Sequence, residues 1–407
     1  MKCRHCQTPM SDVFLDLGSA PPSNAYLTED ALRAPELHYP LRLLVCGTCW
    51  LVQTEDFTAA DALFSDDYAY FSSTSKGWLA HAARYAAMVK ERLSLRAGSH
   101  VVELASNDGY LLRNFVQAGI PCLGVEPTAS TAAAAEAIGI PVLREFFGEA
   151  LGRRLAGEGR QADLIAGNNV YAHVPDINDF TAGIAALLKP EGVVTLEFPH
   201  LMQLVEHGQF DTVYHEHFSY LSLLSVGRIF ARAGLRVFDV EEIPTHGGSL
   251  RVWGCLDGAG HAEHPAVAAL LGKERARGMD GDAFYRGFQT RAETIKDDLL
   301  RFLLQARAEG KTVAGYGAAA KGNTLLNFAG VRPDLLSFVC DAALAKQGKF
   351  LPGSRIPIHA PDALSEAAPD YVVILPWNIA EEVMAQLAPL RASGTRFVTA
   401  VPELRVT

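Results

Sequence analysis

The spacing of hydrophobic and polar positions changes twice along the chain. Residues 1 to about 66 show little helical periodicity. Turns cluster at Gly18-Ser-Ala-Pro-Pro-Ser23, and one strand-like run, Tyr39-Pro-Leu-Arg-Leu-Leu-Val45, leads straight into a pair of cysteines. From about Ser75 the pattern becomes a helix over Gly77–Leu93 followed by apolar runs that alternate with helical stretches, which predicts βαβ units. Strands are expected at His100–Ala105, Cys122–Glu126, Pro141–Leu143, Ala162–Ala166 and Gly192–Glu197, with helices over Ala129–Gly139 and Pro175–Lys189 and one starting at Tyr110. Ser222–Ala233 reads as a helix with Ser222 as N-cap and Gly234 just past its end. Two strands follow, Leu235–Ile243 and Ser249–Leu256, joined by a Pro-Thr-His-Gly-Gly turn. Residues 280 to 310 form one long connecting helix in this reading. A second α/β unit then begins, with strands at Thr312–Gly315, Leu336–Cys340 and Tyr371–Leu375. The expected division is a first domain over 1–66, a doubly wound α/β domain over 67–279 and a smaller Rossmann-like domain over 280–407.

Composition supports more than one domain, because 407 residues exceed what a single core usually carries. With 49% hydrophobic and 20% charged residues the chain is of globular type. A net charge of −10 argues against a general nucleic-acid binder, since phosphate neutralisation needs clustered Lys and Arg. It leaves room for a nucleotide-bearing small molecule. No apolar run reaches about 18 residues and no secretory pattern opens the chain, so the expectation is a cytoplasmic protein without a membrane partner, monomeric or a weak homo-oligomer.

Four of the seven cysteines form two pairs, Cys3-x-x-Cys6 and Cys46-x-x-Cys49. Thiolates three residues apart on a tight turn bind one tetrahedral zinc when two such turns meet. The alternative is a set of buried or redox thiols. A four-thiolate site has no open position, so zinc here would be structural and staple a region too small to hold itself.

The segment Val101-Val102-Glu103-Leu104-Ala105-Ser106-Asn107-Asp108-Gly109 ends an apolar strand in a turn of small residues. Such a turn lets backbone approach a ligand at the carboxyl edge of a sheet. Only Gly109 of the usual glycines is present. The next strand ends Gly124-Val125-Glu126-Pro127, where an acidic side chain can accept both hydroxyls of a ribose. A dinucleotide-binding turn shares both features. A true G-x-G-x-x-G is missing, however, and the sheet closes on a hairpin, the layout of a class I methyltransferase. On that reading Glu103, Ala105, Ser106, Asn107, Gly109, Glu126, Pro127, Asn168 and Asn169 are the candidate contacts of S-adenosylmethionine.

The densest chemistry is Val213-Tyr214-His215-Glu216-His217-Phe218-Ser219-Tyr220. Imidazole suits proton abstraction near neutral pH, and the carboxylate and phenols supply orienting partners. Chelation by His215 and His217, or structural histidines, are the alternatives. His173, in Asn168-Asn169-Val-Tyr-Ala-His173, stands at the same sheet edge. Tyr68, Tyr70 and Phe71 are placed to cover a sulfonium cation or to pack domains together. Near the end of the chain, Gly315-Tyr-Gly-Ala-Ala-Ala-Lys321-Gly-Asn323 opens a helix after a strand and is a plausible anion cradle, with Asp341 a loose match to an acidic sugar-binding position.

The cysteine pairs, ELASNDG, GNNVYAH, YHEHFSYLS, THGGSLRVW and GYGAAAKGNT occur here in this order, and the chain resembles the nucleotide-sugar C-methyltransferases over nearly its whole length. The resemblance implies a zinc-binding N-terminal domain, a methyl-donor domain and a C-terminal Rossmann-like domain, with the nucleotide sugar between the last two. It implies methylation of carbon 3 of a 4-keto-deoxysugar through an enolate. His217 is then the base with Glu216 and Tyr214 beside it, and His173 and Tyr68 act on the ketone or enolate oxygen. Tyr70, His246, Arg251, Lys321 and Asn323 face the substrate. The zinc, on this view, lies remote from the chemistry. An O- or N-methyltransferase acting on a small metabolite, or a non-catalytic scaffold binding zinc and S-adenosylmethionine, are the competing functions.

Overall fold

The computed structural model describes residues 1–57 and 71–407, so Tyr68 and Tyr70 lie outside the described residues. The first unit is an antiparallel sheet of β1 (Val13–Ala20), β2 (Tyr39–Val45) and β3 (Val52–Thr54). Register shifts between Val13 and Leu15 and between Asp16 and Ser19 break the strict two-residue alternation, as bulges do. The outer edge of β3 is paired by Ser219–Tyr220, with Val52 opposite Tyr220 and Gln53 opposite Ser219. A strand far along the chain, inside the histidine-rich segment, therefore completes the sheet that carries the cysteines.

The central sheet contains β4 (Val101–Leu104), β5 (Cys122–Val125), β6 (Val142–Leu143), β7 (Ala162–Asn168) and β8 (Leu188–Pro199). After β9 (Ser219–Tyr220) it gains β10 (Leu235–Ile243) and β11 (Ser249–Leu256), in the order β10-β11-β8-β7-β4-β5-β6. Only β11 runs against its neighbours. This is the expected parallel sheet closed by a hairpin, and its inner strands are mostly apolar because both faces are covered. Val102, Leu104, Ile165 and Val194 face helices Glu149–Gly157, Ile177–Leu187 and Leu223–Arg232. Their neighbours Val101, Leu164, Ala166 and Val193 face helix Lys76–Arg92 on the other side. Ser222 caps its helix as expected, accepting from the Ser225 amide at 3.1 Å, and Gly234 follows with φ 74°.

Several boundaries differ from expectation. β8 starts at Leu188, four residues before Gly192, where the expected helix to Lys189 has already ended at Leu187, and the strand expected over Leu336–Cys340 is only Val339–Cys340. The helix after the 105–109 loop begins at Arg113, not Tyr110, because residues 109–112 form turns first. The long connecting helix covers only Phe288–Ala308. Gly287, with φ 85°, separates it from a short 3₁₀ turn at Asp282–Phe284.

The last sheet is built from β12 (Val313–Tyr316), β13 (Val339–Cys340), β14 (Ile358–His359), β15 (Tyr371–Ile374), β16 (Arg396–Thr399) and β17 (Arg405–Val406). Its order is β14-β13-β12-β15-β16-β17, parallel except for β17. One continuous core joins this sheet to the first one through helix Phe288–Ala308. Leu15 and Leu43 belong to the same cluster as Leu299, Val313 and Val373. Phe210, fully buried, meets Phe328 edge-on with ring centroids 5.6 Å apart. Phe210→Ala should therefore cost about 3–5 kcal/mol, and calorimetry should still give one shared transition at a lower Tm. A loss below about 1 kcal/mol would contradict the shared core.

Candidate active site and zinc centre

The four paired cysteines converge, with their sulfurs all within 4.8 Å of one another. Cys3 Sγ lies 3.5 Å from Cys49 Sγ and Cys6 Sγ 3.4 Å from Cys46 Sγ. Both turns close alike. The Gln7 amide donates to the Cys3 carbonyl at 3.0 Å and the Trp50 amide to the Cys46 carbonyl at 2.9 Å, with Gln7 and Trp50 at φ 64° and 62°. A tetrahedral shell of Zn–S bonds of about 2.3 Å sets sulfurs roughly 3.8 Å apart. With two pairs at 3.5 and 3.4 Å and none beyond 4.8 Å, this donor set fits zinc with shifts of about 1 Å or less. The centre is not remote from the histidines. Arg4, between two of the ligands, donates to the Pro175 carbonyl at 2.9 Å and stacks its guanidinium 5.3 Å from the Phe218 ring. The adjacent His5 Nδ1 meets Asn178 Oδ1 at 2.9 Å. The cysteine turn thus buttresses the segments that follow His173 and His217.

At the carboxyl edge of the central sheet, Ala105 (φ 54°), Asn107 (φ 49°) and Gly109 (φ 79°) take left-handed backbone. The turn keeps the shape of a glycine-rich loop although only one glycine remains, and its neighbours hold it there. The Asn107 amide donates to Glu126 Oε2 at 2.9 Å and the Thr128 amide to Glu126 Oε1 at 2.9 Å. Asn107 Oδ1 and Asp108 Oδ2 accept from the amides of Ser72 and Ser73, at 2.9 and 3.0 Å. Gly109 is favoured by its positive φ of 79° and by close packing, since an added Cβ would lie 2.3 Å from Ile140 Cδ1 and 3.2 Å from Ala135 Cβ. Gly124 leaves room for Ser106, whose Oγ would stand 2.3 Å from an added Cβ. Burial, reinforced by Glu126 and Asp108, holds Glu103 well above the usual carboxylate range. Pro127 follows Glu126 half-buried. Asn168 ends β7 with both amide atoms buried and unpartnered among the described residues, and Asn169 (φ 56°) buries its Nδ2 the same way. A buried amide without a partner costs about 1–3 kcal/mol, so such groups at a strand's carboxyl edge fit a polar ligand.

His217 lies buried against His173 and Tyr214, with ring centroids 4.6 and 4.0 Å away. Its Nδ1 is 2.9 Å from the Thr212 carbonyl. A carbonyl only accepts, so Nδ1 carries the proton and Nε2 is the acceptor. Burial first, then neighbouring His173, pushes its pKa well below the ordinary value, and the ring is neutral at pH 7. His173 is arranged alike, with Nδ1 2.8 Å from the Glu216 carbonyl and its pKa lowered to about 4 by burial. Neutral His173 therefore offers an acceptor at Nε2, whereas a role in polarising a ketone requires a donor. His215 is directed elsewhere: its Nε2 is 3.3 Å from the Tyr39 carbonyl and its ring meets Tyr39. Glu216 is buried, which raises its pKa, and its Oε1 accepts from Asn24 Nδ2 at 3.1 Å.

The remaining expected residues divide into two groups. Lys321 opens helix Ala320–Phe328, donates to Asn378 Oδ1 at 2.8 Å and lies 4.8 Å from the Trp377 ring. Burial lowers its pKa, and neighbouring Asp211 opposes that fall. Asp211 is itself pushed up to about 6 by burial and accepts from Trp377 Nε1 at 2.7 Å. His246 (φ 55°) packs edge-on against Trp78, and burial lowers it to about 4. Both Lys321 and His246 are close enough to depress His217. Arg251 and Asn323 are engaged otherwise. Arg251 Nε donates to Glu197 Oε1 at 2.7 Å and another guanidinium nitrogen to Glu241 at 2.9 Å. Burial pushes Glu197 up, but His81 and Arg251 outweigh it and keep the carboxylate below its usual range. Asn323 Nδ2 donates to the Ser23 carbonyl at 2.6 Å, tying the last unit to the first. Asp341 pairs with Lys346 at 3.3 Å. Sequence reasoning missed Asn24, Asp211, His81 and Trp377, which are lone residues without a motif and reach the site only through folding.

Residues 3–64 match the family described as "Putative zinc binding domain", 78–240 a methyltransferase domain, and 244–402 a C-methyltransferase C-terminal domain. The chain is 37% identical over 408 residues to C-methyltransferase NovU of Streptomyces niveus, covering 100% of this chain and 96% of that one. The chain belongs to the C-methyltransferase family. Among solved structures, 1,6-didemethyltoxoflavin-N1-methyltransferase from Burkholderia thailandensis is 18% identical, covering 51% of this chain and 94% of that chain at a TM-score of 0.37. Magnesium protoporphyrin IX methyltransferase from Synechocystis is 14% identical, covering 44% and 79% at a TM-score of 0.34. This C-methyltransferase is an enzyme that depends on S-adenosylmethionine and has a zinc-binding domain. The 105–109 loop, Glu126 and the unpartnered amides of Asn168 and Asn169 suit the polar parts of that cofactor. No helix among the described residues is long and apolar enough to cross a membrane.

Glu126→Ala releases two backbone amides as well as removing the acidic side chain, and should weaken S-adenosylmethionine binding at least about tenfold in calorimetry. Unchanged affinity would place the cofactor elsewhere. The buried rings should cost the C-methyltransferase stability in mild acid. His173 and His246 titrate near 4 in the fold against about 6.5 unfolded, so the unfolded chain takes up protons first as pH falls. Stability from these rings is fully present above about pH 6.5 and is lost progressively toward pH 4, while Asp211, raised to about 6, acts in the opposite sense. The drop in urea unfolding free energy from pH 7 to pH 5 should therefore be about 1–2 kcal/mol smaller in His246→Asn than in wild type. An equal drop in both would mean that the His246 imidazole is solvated.

Proposed function

We propose that the enzyme methylates carbon 3 of a nucleotide-linked 4-keto-deoxysugar through an enolate formed by His217. The supporting observation is the fixed tautomer of His217, neutral at pH 7, with Nδ1 committed to the Thr212 carbonyl and Nε2 an acceptor. Such a nitrogen takes a proton from the carbon beside a ketone. His217 becomes imidazolium as the enolate becomes anionic, so opposite charges arise together in a buried site where their attraction is strong. Lys321, within electrostatic reach of His217, favours the same negative charge in its protonated form. When bound, S-adenosylmethionine supplies an electrophilic methyl group. The 105–109 loop and Glu126 orient one side of the reaction and the 315–323 loop the other, which is how positioning lowers the barrier. Lys321 at the start of its helix suits the anionic nucleotide portion.

In heavy water the enzyme should exchange the carbon-3 proton of a 4-keto sugar nucleotide. His217→Asn should slow exchange and C-methylation together by about 10²–10⁴-fold, with donor affinity unchanged. Failure of the wild-type enzyme to exchange that proton or form a C-methyl product across a panel of keto sugars would end this reading.

A further inference from the structure

We propose that Asn24, carried by the zinc-binding unit, is a positioning residue of the active site that acts through Glu216. This inference rests on the reading of residues 214–217 as the chemical centre. After β1 the chain leaves the first sheet as a strap, residues 21–27, and crosses to the last unit. It is clamped on both sides of Asn24. Asn323 Nδ2 donates to the Ser23 carbonyl at 2.6 Å, and the Tyr26 hydroxyl donates to the Ala318 carbonyl. Leu27 and Phe350 exchange amide-to-carbonyl bonds at 3.0 and 2.8 Å. On the other side, Thr324 Oγ1 donates to the Val213 carbonyl at 2.8 Å, so one helix grips both the strap and the start of the histidine segment. The three units meet around the strap and residues 213–216.

Glu216 is 1% exposed, and its only side-chain donor among the described residues is Asn24 Nδ2, 3.1 Å from Oε1. Oε2 is buried and unpartnered. The backbone amides of Asn24 and of Glu216 itself also act on this carboxyl, so the strap supplies a side-chain and a main-chain donor that together fix its orientation. The backbone of Glu216 transmits that orientation. Its carbonyl holds His173 Nδ1 at 2.8 Å, and His217 is the next residue. Tyr220 also lies within electrostatic reach of this carboxyl. Releasing the side chain would loosen both imidazoles at once, without removing any group that touches the cofactor or the reacting carbon.

The test compares zinc-loaded full-length wild type with Asn24→Ala, Asn24→Asp and Asn24→Gln, measuring methyl transfer to a 4-keto sugar nucleotide. Asn24→Ala should lower kcat by about 10–100-fold with both KM values within about threefold. Asn24→Asp, the closest in shape, should be worse than Ala because it sets an acceptor against Glu216, while Asn24→Gln, which keeps an amide donor, should recover part of the rate. A merely structural strap would tolerate Asp best, and that order overturns the proposal. The second measurement needs no sugar. Carbon-13 NMR titration of the Glu216 carboxyl, assigned by its loss in Glu216→Gln, should show its pKa rise in Asn24→Ala, and an unmoved pKa overturns the proposal. If wild type methylates no keto sugar, the substrate reading falls, and the titration still decides whether Asn24 governs Glu216.

Discussion

The structure depends on what is demanded of residues 210–221. Within one short stretch, Phe210 enters the core shared with Phe328, the Thr212 carbonyl fixes the proton of His217, and Ser219–Tyr220 pair with β3. The first of these tasks needs the last unit and the third needs the first unit, so the segment is held from both sides only when all three units are docked. Backbone pairing is the strictest of them, because a strand edge left bare in an interior leaves amides and carbonyls unsatisfied. The zinc centre gains its meaning from this constraint. It holds closed the short sheet that receives Ser219–Tyr220, and through Arg4 and His5 it braces the neighbouring segments.

Burial then sets the electrostatics. Imidazoles at 173, 217 and 246 are neutral because desolvation penalises their charged forms, and mutual proximity adds to the effect at His217. The same burial pushes Asp211, Glu103 and Glu216 upward. Such surroundings hold few formal charges, so a charge formed within them would interact with fixed dipoles rather than with water.

Much of the frame could be read before folding was considered. Parallel strands buried on both faces are continuous apolar runs, and each apolar run of the central sheet became a strand within a few residues of expectation. Ser222 and Gly234 marked their helix ends through capping and left-handed backbone, both local properties. The cysteine pairs were legible because ligand spacing is set by a tight turn. Arg251 was harder. The resemblance implied a substrate contact, and register in the sheet sets its side chain beside Glu197 and Glu241.

By itself the sequence determined most of the elements, the paired cysteines, the turn at the carboxyl edge of the central sheet and the histidine-bearing segment, because each rests on contacts within a turn, a strand or a helix. Only the tertiary structure decided how these meet. It decided that β9 belongs to the first sheet, that His217 and His173 both hold their protons on Nδ1, and that Asn24 reaches Glu216. Those facts depend on partners far away along the chain, and local spacing carries no record of which distant group will satisfy a buried donor or acceptor.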